Sequence, residues 1–392
     1  MKSWRIVVVG LILALLSVDA WARIKLITLP VRERVEMQLT HPSATLVEEE
    51  RIVPLVQGAN QVDFSWRNSR VDPHSILFRL VEGEGVAARV LAVSYPPGEN
   101  ALVWDLWAEQ AGTARVRIGY LIEGFGREYH YRATADHAEQ QLRLQQFLRL
   151  RNQANEAFAE AHWKLGFGEP LQRSIGRDET RELLVAEYHE VPISKRYTAD
   201  LARFGYLEAA QKKLRIPMHY VLQNDAAHGL GAAALPFGKA RIFIEDGRGG
   251  SAFIGEDWGS FTPRDEEMAL YLGVAQDIVV RRTIARNEAQ RVNGNLFHYD
   301  VVIRYEVENF KEEAVVLDVV EEIRAVRQEL GRASQRAIEW QLGSDTTLAL
   351  PPDGERSGVE RLVLRQPLPP RQGDTPPIKQ VYTLHLHFRN EW

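Results

Sequence analysis

The stretch "FHYDVVIRYEVEN", Phe297 to Asn309, decides the fold. Tyr299, Val301, Ile303, Tyr305 and Val307 share one parity, and Asp300, Arg304, Glu306 and Glu308 the other. A repeat of two residues is that of a strand with one face buried. The closing "QVYTLHLHFRN" repeats it with Tyr382, Leu384, Leu386 and Phe388. "KARIFIEDG" and "SAFIGED" flank Asp246-Gly247-Arg248-Gly249-Gly250 and read as a hairpin around a glycine turn. Nearer the front, "ATLVEEERIVPLVQGANQVDFSW" reads as strand, strand, turn, strand, and "TARVRIGYLIEG" and "REYHYRA" continue the alternation.

One region supports two readings. "AEQQLRLQQFLRLRNQANEAFAEAHWKL" has a helix-favouring composition. Leu142, Leu144, Leu148 and Leu150 nevertheless share a parity, and Asn152-Gln153-Ala154-Asn155 resembles a turn between two strands. Helix candidates are few: Ala199 to Leu214, and Val326 to Ala337. The expectation is an all-β chain of consecutive antiparallel, immunoglobulin-like β-sandwich domains with few short helices.

The chain begins "MKSWRIVVVGLILALLSVDAWA", with Lys2 and Arg5 ahead of an apolar run from Ile6 to Leu16. Ala20-Trp21-Ala22 fits an A-x-A cleavage site, so 1–22 reads as a secretory signal peptide cleaved near Ala22. The run falls short of the roughly 20 residues that span a bilayer. No later run is comparable, so the mature chain is expected to be exported, periplasmic or secreted, with no transmembrane segment. There is no cysteine, hence no disulfide and no lipid-attachment site. A net charge of −5 argues against nucleic acid as a partner.

"GLGAAA", Gly229 to Ala234, matches the phosphate turn G-x-G-x-x-A. That turn must follow a strand and open a helix. "MHYVLQN" supplies a strand, but Pro236 and Gly238 follow within a few residues and break any helix. The glycines fit a turn between strands, and no nucleotide or other cofactor is expected.

The surrounding stretch, "NDAAHGLGAAALPFGKARIFIEDGRGGSAFIGEDWGSFTPRDEEMALYLGVAQDIVVRR", resembles the core of the bacterial domain of unknown function 4139, found in mucoidy-inhibitor-A-like proteins. The residues that carry the likeness include Asn224, Gly229, Gly231, Pro236, Gly238, Arg241, Gly255, Glu256, Asp257, Thr262, Pro263 and Gly273. The coiled coil of many relatives is missing, and a charged insertion lies near Arg324 to Arg336. The resemblance implies export and β-sandwich folds, with these residues in structural roles. It implies no reaction, so no catalytic residue is carried over. With it the chain divides into the leader, an N-terminal β domain over 23–134, a middle β region over 135–215 with a short helix near 199–214, and a C-terminal β-sandwich over 216–392 that carries the family core.

Three constellations are candidates for chemistry. His385 and His387 lie two apart on the last strand, where H-x-H can aim two imidazoles at one metal if a third ligand such as His298 converges. Thr383 and Arg389 share their parity, so a solvated polar face is the simpler reading and no metal is expected. Acids cluster at Glu245-Asp246, Glu256-Asp257 and Asp265-Glu266-Glu267. Paired carboxylates run glycoside hydrolysis or bind calcium when they converge, and cap turns when they do not. The mature chain holds Trp66, Trp104, Trp107, Trp163, Trp258, Trp340 and Trp392, and any that are exposed can stack on sugar rings or meet a partner. Trp104 and Trp107 differ in parity, so on one strand one of them faces out. There is no G-x-S-x-G elbow and no H-E-x-x-H. The expectation is a non-catalytic binding module for an envelope protein or exopolysaccharide. The alternative is an envelope glycan hydrolase using the clustered acids.

Overall fold

The computed structural model describes residues 25–41, 44–66, 69–166, 170–203, 213–331, 339–349, 360–373 and 375–391. The leader, with Ala20 and Ala22, lies outside the described residues. Along the chain come strands β1 (Lys25–Thr28), β2 (Arg34–Gln38), β3 (Thr45–Leu55), β4 (Gly58–Ser65), β5 (Leu77–Gly85), β6 (Ala88–Ser94), β7 (Ala101–Ala108) and β8 (Gly112–Ile122). Next are β9 (Phe125–Ala135), β10 (Gln141–Asn152), β11 (Phe158–Lys164), β12 (Leu171–Ile175), β13 (Thr180–Pro192), β14 (Ser194–Asp200) and β15 (Lys213–Gln223). The last are β16 (Gly238–Glu245), β17 (Ser251–Gly259), β18 (Glu267–Asn293), β19 (Leu296–Asn309), β20 (Val315–Glu322), β21 (Glu339–Leu342), β22 (Arg361–Leu368) and β23 (Gln380–Glu391). One short helix, α1 (Ile323–Glu329), follows β20. The fold is all-β.

The chain forms two compact units, one of residues up to Glu128 with Leu148–Leu183, the other of Tyr129–Phe147 with Leu184 onward. The sequence reading divides the chain at 134 and 215 instead. The divisions differ because the chain passes between units three times, along β9, β10 and β13, which a linear cut cannot follow.

The first unit holds two sheets, ordered β1-β4-β7-β6 and β12-β11-β2-β3-β8-β5. Phe64 packs against Trp66, Trp104 and Tyr120 with ring centroids within 6.0 Å. β3 is one strand, where the sequence suggested two. Its break-like Pro54 lies beyond the β2 partners, which end at Glu50, so no ladder bond on that side needs its missing N–H. Mid-strand Glu49 is fully buried and forms ion pairs with Arg32 and Arg51, so the acidic run does not end the strand.

In the second unit, an eight-stranded sheet runs β21-β23-β19-β18-β15-β14-β20-β22. One face of these strands and α1 share one core, including Tyr305, Leu317, Val326, Leu384 and Phe388. β15 keeps one parity inward throughout: Leu214, Ile216, Tyr220 and Leu222. Its partner β18 changes parity twice, from Met268 and Leu270 to Ala275 and back to Ile278 and Val280. Two register shifts against β15 supply the extra residues, one of them beside Gly273. Gly273 has φ +134°, a conformation side-chain-bearing residues avoid. Tyr220, Leu222, Met268 and Leu270 join a second core with Tyr131, Ala133, Leu142, Leu144, Ala240 and Ile242 from the five-stranded sheet β13-β10-β9-β16-β17.

The alternation in Phe297–Asn309 is realised in β19, where Val301, Ile303, Tyr305 and Val307 are at most 1% exposed. β10 and β11 are strands, as parity indicated and composition did not. Most pairings are antiparallel, but β1/β4, β2/β11, β9/β16 and β14/β20 are parallel. The helix read over 199–214 shrinks at both ends. Ala199 and Asp200 belong to β14, with Ala199 buried in the core, and Lys213 and Leu214 belong to β15. Only 201–203 are helical, capped by the Asp200 carboxylate, while 204–212 lie outside the described residues. α1 begins before the expected Val326, and 332–338 lie outside the described residues.

Candidate functional site

β16 and β17 form the expected hairpin, with Lys239 opposite Trp258 and Arg241 opposite Glu256. Ala240 and Ile242 point into the core, so Lys239, Arg241 and Phe243 face out. Phe237, just before β16, continues that parity. Phe237 and Trp258 stack with centroids 5.1 Å apart and planes at 3°. Burial does not force this pairing, because the two residues are 58% and 57% exposed. Phe261 beyond β17 is also exposed. The Lys239 ammonium sits 5.7 Å from the centre of the Trp258 ring and donates to Glu256 at 2.7 Å. That hydrogen bond holds the Glu256 carboxyl below its ordinary range. A parallel pair of aromatic rings, open to solvent and edged by a cation and an anion, is a surface on which a flat apolar ligand face can lie.

The same outer face continues across β9 and β10. Arg132 lies opposite Arg241 in the parallel β9/β16 ladder. Its guanidinium is 5.7 Å from the centre of the Phe243 ring, and Phe243 meets Phe253 edge-on at 5.6 Å. Farther along, His130 stacks on Phe147 at 5.1 Å.

The loop before the platform is held by Asn224, which is fully buried. Its amide donates to the carbonyls of Ala233, Thr262 and Pro263 at 2.9–3.2 Å, and its oxygen accepts from Gly231 N at 3.0 Å. Leu235 and Thr262 exchange two backbone hydrogen bonds of 2.8 Å. A turn at Ala226–His228, N-capped by Asp225, ends at Gly229 with φ +74°. No helix follows "GLGAAA"; the backbone runs through the Leu235 bridge into β16. At Gly231 a Cβ would lie 2.6 Å from Ala226 N, and at Gly238 2.4 Å from Tyr129 O. Pro236 O accepts from the Tyr131 hydroxyl at 2.6 Å. Asp257 accepts from Tyr271 N at 2.7 Å and ties β17 to β18, against which Gly255 also lies. These residues set the position of Phe237 and Trp258.

The clustered acids take different partners. Glu245 faces a groove beside Arg132, and Asp246 is bound by the N–H groups of Arg248 and Gly250. Glu256 is on the platform, and Glu267 forms a two-bond ion pair with Arg196. Asp265 and Glu266 bond to the backbone of Asn224 through their own backbone atoms. His387 pairs with Asp300, and His298 accepts from Asn390 N at 3.3 Å. Among the described residues, no group of three or more His, Cys, Asp or Glu is arranged to hold a metal. No described helix is long and apolar enough to cross a membrane. Trp104 and Trp107 are both on β7, where Trp104 is buried and Trp107 is 43% exposed. Trp392 lies outside the described residues.

Sequence reasoning named Trp258 and Arg241 but missed the partner Phe237 and, on the same face, Arg132 and Arg143. The hairpin register contains the signal for Phe237, because pairing Lys239 with Trp258 brings the residue two before Lys239 to the same edge. Arg132 requires the parallel β9/β16 pairing, which local pattern does not disclose. No family model and no curated protein matches this chain.

Proposed function

We propose that this chain is an exported cell-envelope protein acting as a non-catalytic binding module, and that it holds a polysaccharide on the outer face of β16 and β17. The carrying observation is the exposed Phe237–Trp258 stack. The C–H face of a pyranose ring is flat and apolar, and aromatic faces offer it contact at little entropic cost. The leader reading supports export to the periplasm or beyond. The resemblance to the mucoidy-inhibitor-A-like family is consistent with an envelope role. Asp246, Glu256, Asp257 and Glu267 are each committed to a different partner, which favours binding over the hydrolase alternative, since that needs two carboxyl groups about 5–10 Å apart and free to act on one bond.

The test is crosslinking in the native host with a tagged chain carrying its own leader, followed by mass spectrometry of the attached species. A glycan on the wild type, much reduced on Trp258→Ala, is the expected result. An attached protein unaffected by Trp258→Ala would replace the glycan with a protein partner. Release of shortened oligosaccharides by the purified chain would overturn the non-catalytic reading.

A further inference from the structure

We propose that the glycan is acidic, and that Arg132 and Arg143 meet its carboxylates beside the Trp258 platform. This inference rests on the glycan reading above and adds a ligand charge to it. A groove of about 500 Å³ opens on the outer face of the five-stranded sheet, lined by Arg132, Thr134, Arg143, Phe243, Glu245 and Ser251, with glycines of the 247–250 turn along its rim. Both arginines are exposed, and neither forms an ion pair among the described residues.

Several arginines elsewhere in this unit are held by carboxylates. Arg196 is bound to Glu267 by two hydrogen bonds, Arg281 to Glu308, and Arg365 to Asp318. Among the described residues, Arg132 and Arg143 come together at one groove without such a carboxylate partner. Two of the nearby carboxylates are already committed, while Glu245 lines the groove itself. Asp246 accepts two backbone N–H groups of its own turn, and Glu256 serves both Lys239 at 2.7 Å and Arg241 at 3.9 Å. The face thus presents the cations Lys239, Arg241, Arg132 and Arg143 against the carboxylates Glu245 and Glu256, with Glu187 farther along and bonded to Gln145. Stacking of Arg132 on Phe243 restrains its guanidinium, which lowers the ordering cost of a two-pronged hydrogen bond to a carboxylate.

Neighbouring strands lie about 4.8 Å apart, so Arg241 on β16 and Arg132 on β9 stand side by side. Aromatic platform and cation row therefore share one continuous surface. A chain of sugar rings with carboxylates at intervals matches both parts of it. A neutral glycan would use only the first, and would leave the arginines to water.

The test is titration calorimetry of the full mature chain with oligogalacturonate and with the same oligomer fully methyl-esterified. The two probes share a backbone and differ in charge. Oligogalacturonate is expected to bind at least about tenfold more tightly than its ester in low salt, and to lose that advantage as the Debye length falls towards 3 Å. Arg132→Gln combined with Arg143→Gln is expected to weaken the acid form about tenfold and leave the ester unchanged. Trp258→Ala is expected to weaken both. Equal affinity for acid and ester, or an unchanged double variant, overturns the acidic ligand and leaves the platform standing. Binding that survives Trp258→Ala overturns the platform and reduces the arginine effect to ion exchange. Failure of both oligomers to bind the wild type overturns both readings. The three substitutions are at exposed positions, and an unchanged urea midpoint verifies that each variant is folded.

Discussion

Arg282 and Glu321 face each other inside the eight-stranded sheet, Nε to Oε1 at 2.6 Å and Nη2 to Oε2 at 3.2 Å, with each side chain 3% exposed. Tyr305 donates its hydroxyl to the same carboxylate, and Glu329 takes a third guanidinium N–H at 2.7 Å. Burial pushes the Tyr305 phenol well above its ordinary value, and the neighbouring Glu321 charge adds to the shift. A buried pair of this kind adds little over an apolar replacement, but losing one partner strands a charge. Glu321→Gln is expected to lower the free energy of urea unfolding by about 3 kcal/mol. Combining Arg282→Met and Glu321→Leu with Tyr305→Phe, which also removes the hydroxyl that Glu321 accepts from, is expected to recover most of it.

Asn224 gathers the loop 224–236 and the segment Thr262–Pro263 onto one amide. Asn224→Ala removes the partner of Gly231 N, Ala233 O and Pro263 O, leaves Thr262 O with only its bond from Leu235 N, and is expected to cost about 1–3 kcal/mol. Asn224→Asp places a carboxylate against three carbonyl oxygens. At neutral pH it is expected to be at least as damaging as alanine, and to regain stability in acid as the carboxyl protonates. Urea unfolding of both variants at pH 7 and pH 4 measures this, and equal loss at both pH values for the aspartate would contradict it.

Glycines in the resembling motif are needed for different reasons. Gly231 has φ +81° and its Cβ would lie 2.6 Å from Ala226 N, while Gly273 has φ +134° and open space around it. Gly238 has no positive φ, yet its Cβ would meet Tyr129 O at 2.4 Å. Gly231→Ala combines backbone strain with a clash and is expected to be the worst of the three. Gly273→Ala carries the strain alone, of about 1–2 kcal/mol. Melting temperatures in the order Gly273→Ala above Gly231→Ala would support the distinction.

Glu139 gives the second unit an acid-sensitive contact. Burial pushes its carboxyl up, but two hydrogen bonds from Lys195 at 2.7 Å and one from the Tyr220 hydroxyl outweigh that and hold it below its ordinary value. A carboxyl depressed in the folded state stabilises above its unfolded value and loses that contribution as pH falls through the folded one. Glu139→Gln is therefore expected to destabilise at pH 7 and to converge with the wild type below pH 4. A constant difference between them from pH 7 to pH 3 would refute the assignment.

What was legible in the sequence follows from what is local. Period-two alternation in Phe297–Asn309 and the turn at Asp246–Gly250 depend on near neighbours, and both are realised. The long β3 reads as two strands in the sequence because three glutamates and Pro54 look like a break. Their accommodation depends on Arg32, Arg51 and the extent of β2, all set by tertiary pairing. Parallel pairing of β9 with β16 joins residues over a hundred positions apart, so no local pattern pairs Arg132 with Arg241. Trp258 was visible as a tryptophan, but its exposure was not, because its neighbours in β17 do not alternate cleanly.

Trp258 and Trp163 offer a paired test of surface against core. Trp163 is fully buried and donates its indole N–H to Arg173 O at 2.9 Å, so Trp163→Ala is expected to cost about 3–5 kcal/mol. Trp258 is 57% exposed and touches Phe237 and Lys239, which are themselves at the surface. Trp258→Ala is expected to change stability by less than about 1 kcal/mol. Losing the stack costs part of an aromatic pair, and releasing Phe237 and Lys239 to solvent returns some of their freedom. A loss above about 2 kcal/mol would mean that Trp258 holds the hairpin against its own sheet, and the platform would then be a structural clamp. A small loss, with glycan retention abolished, would mean that the ring is held open for a ligand.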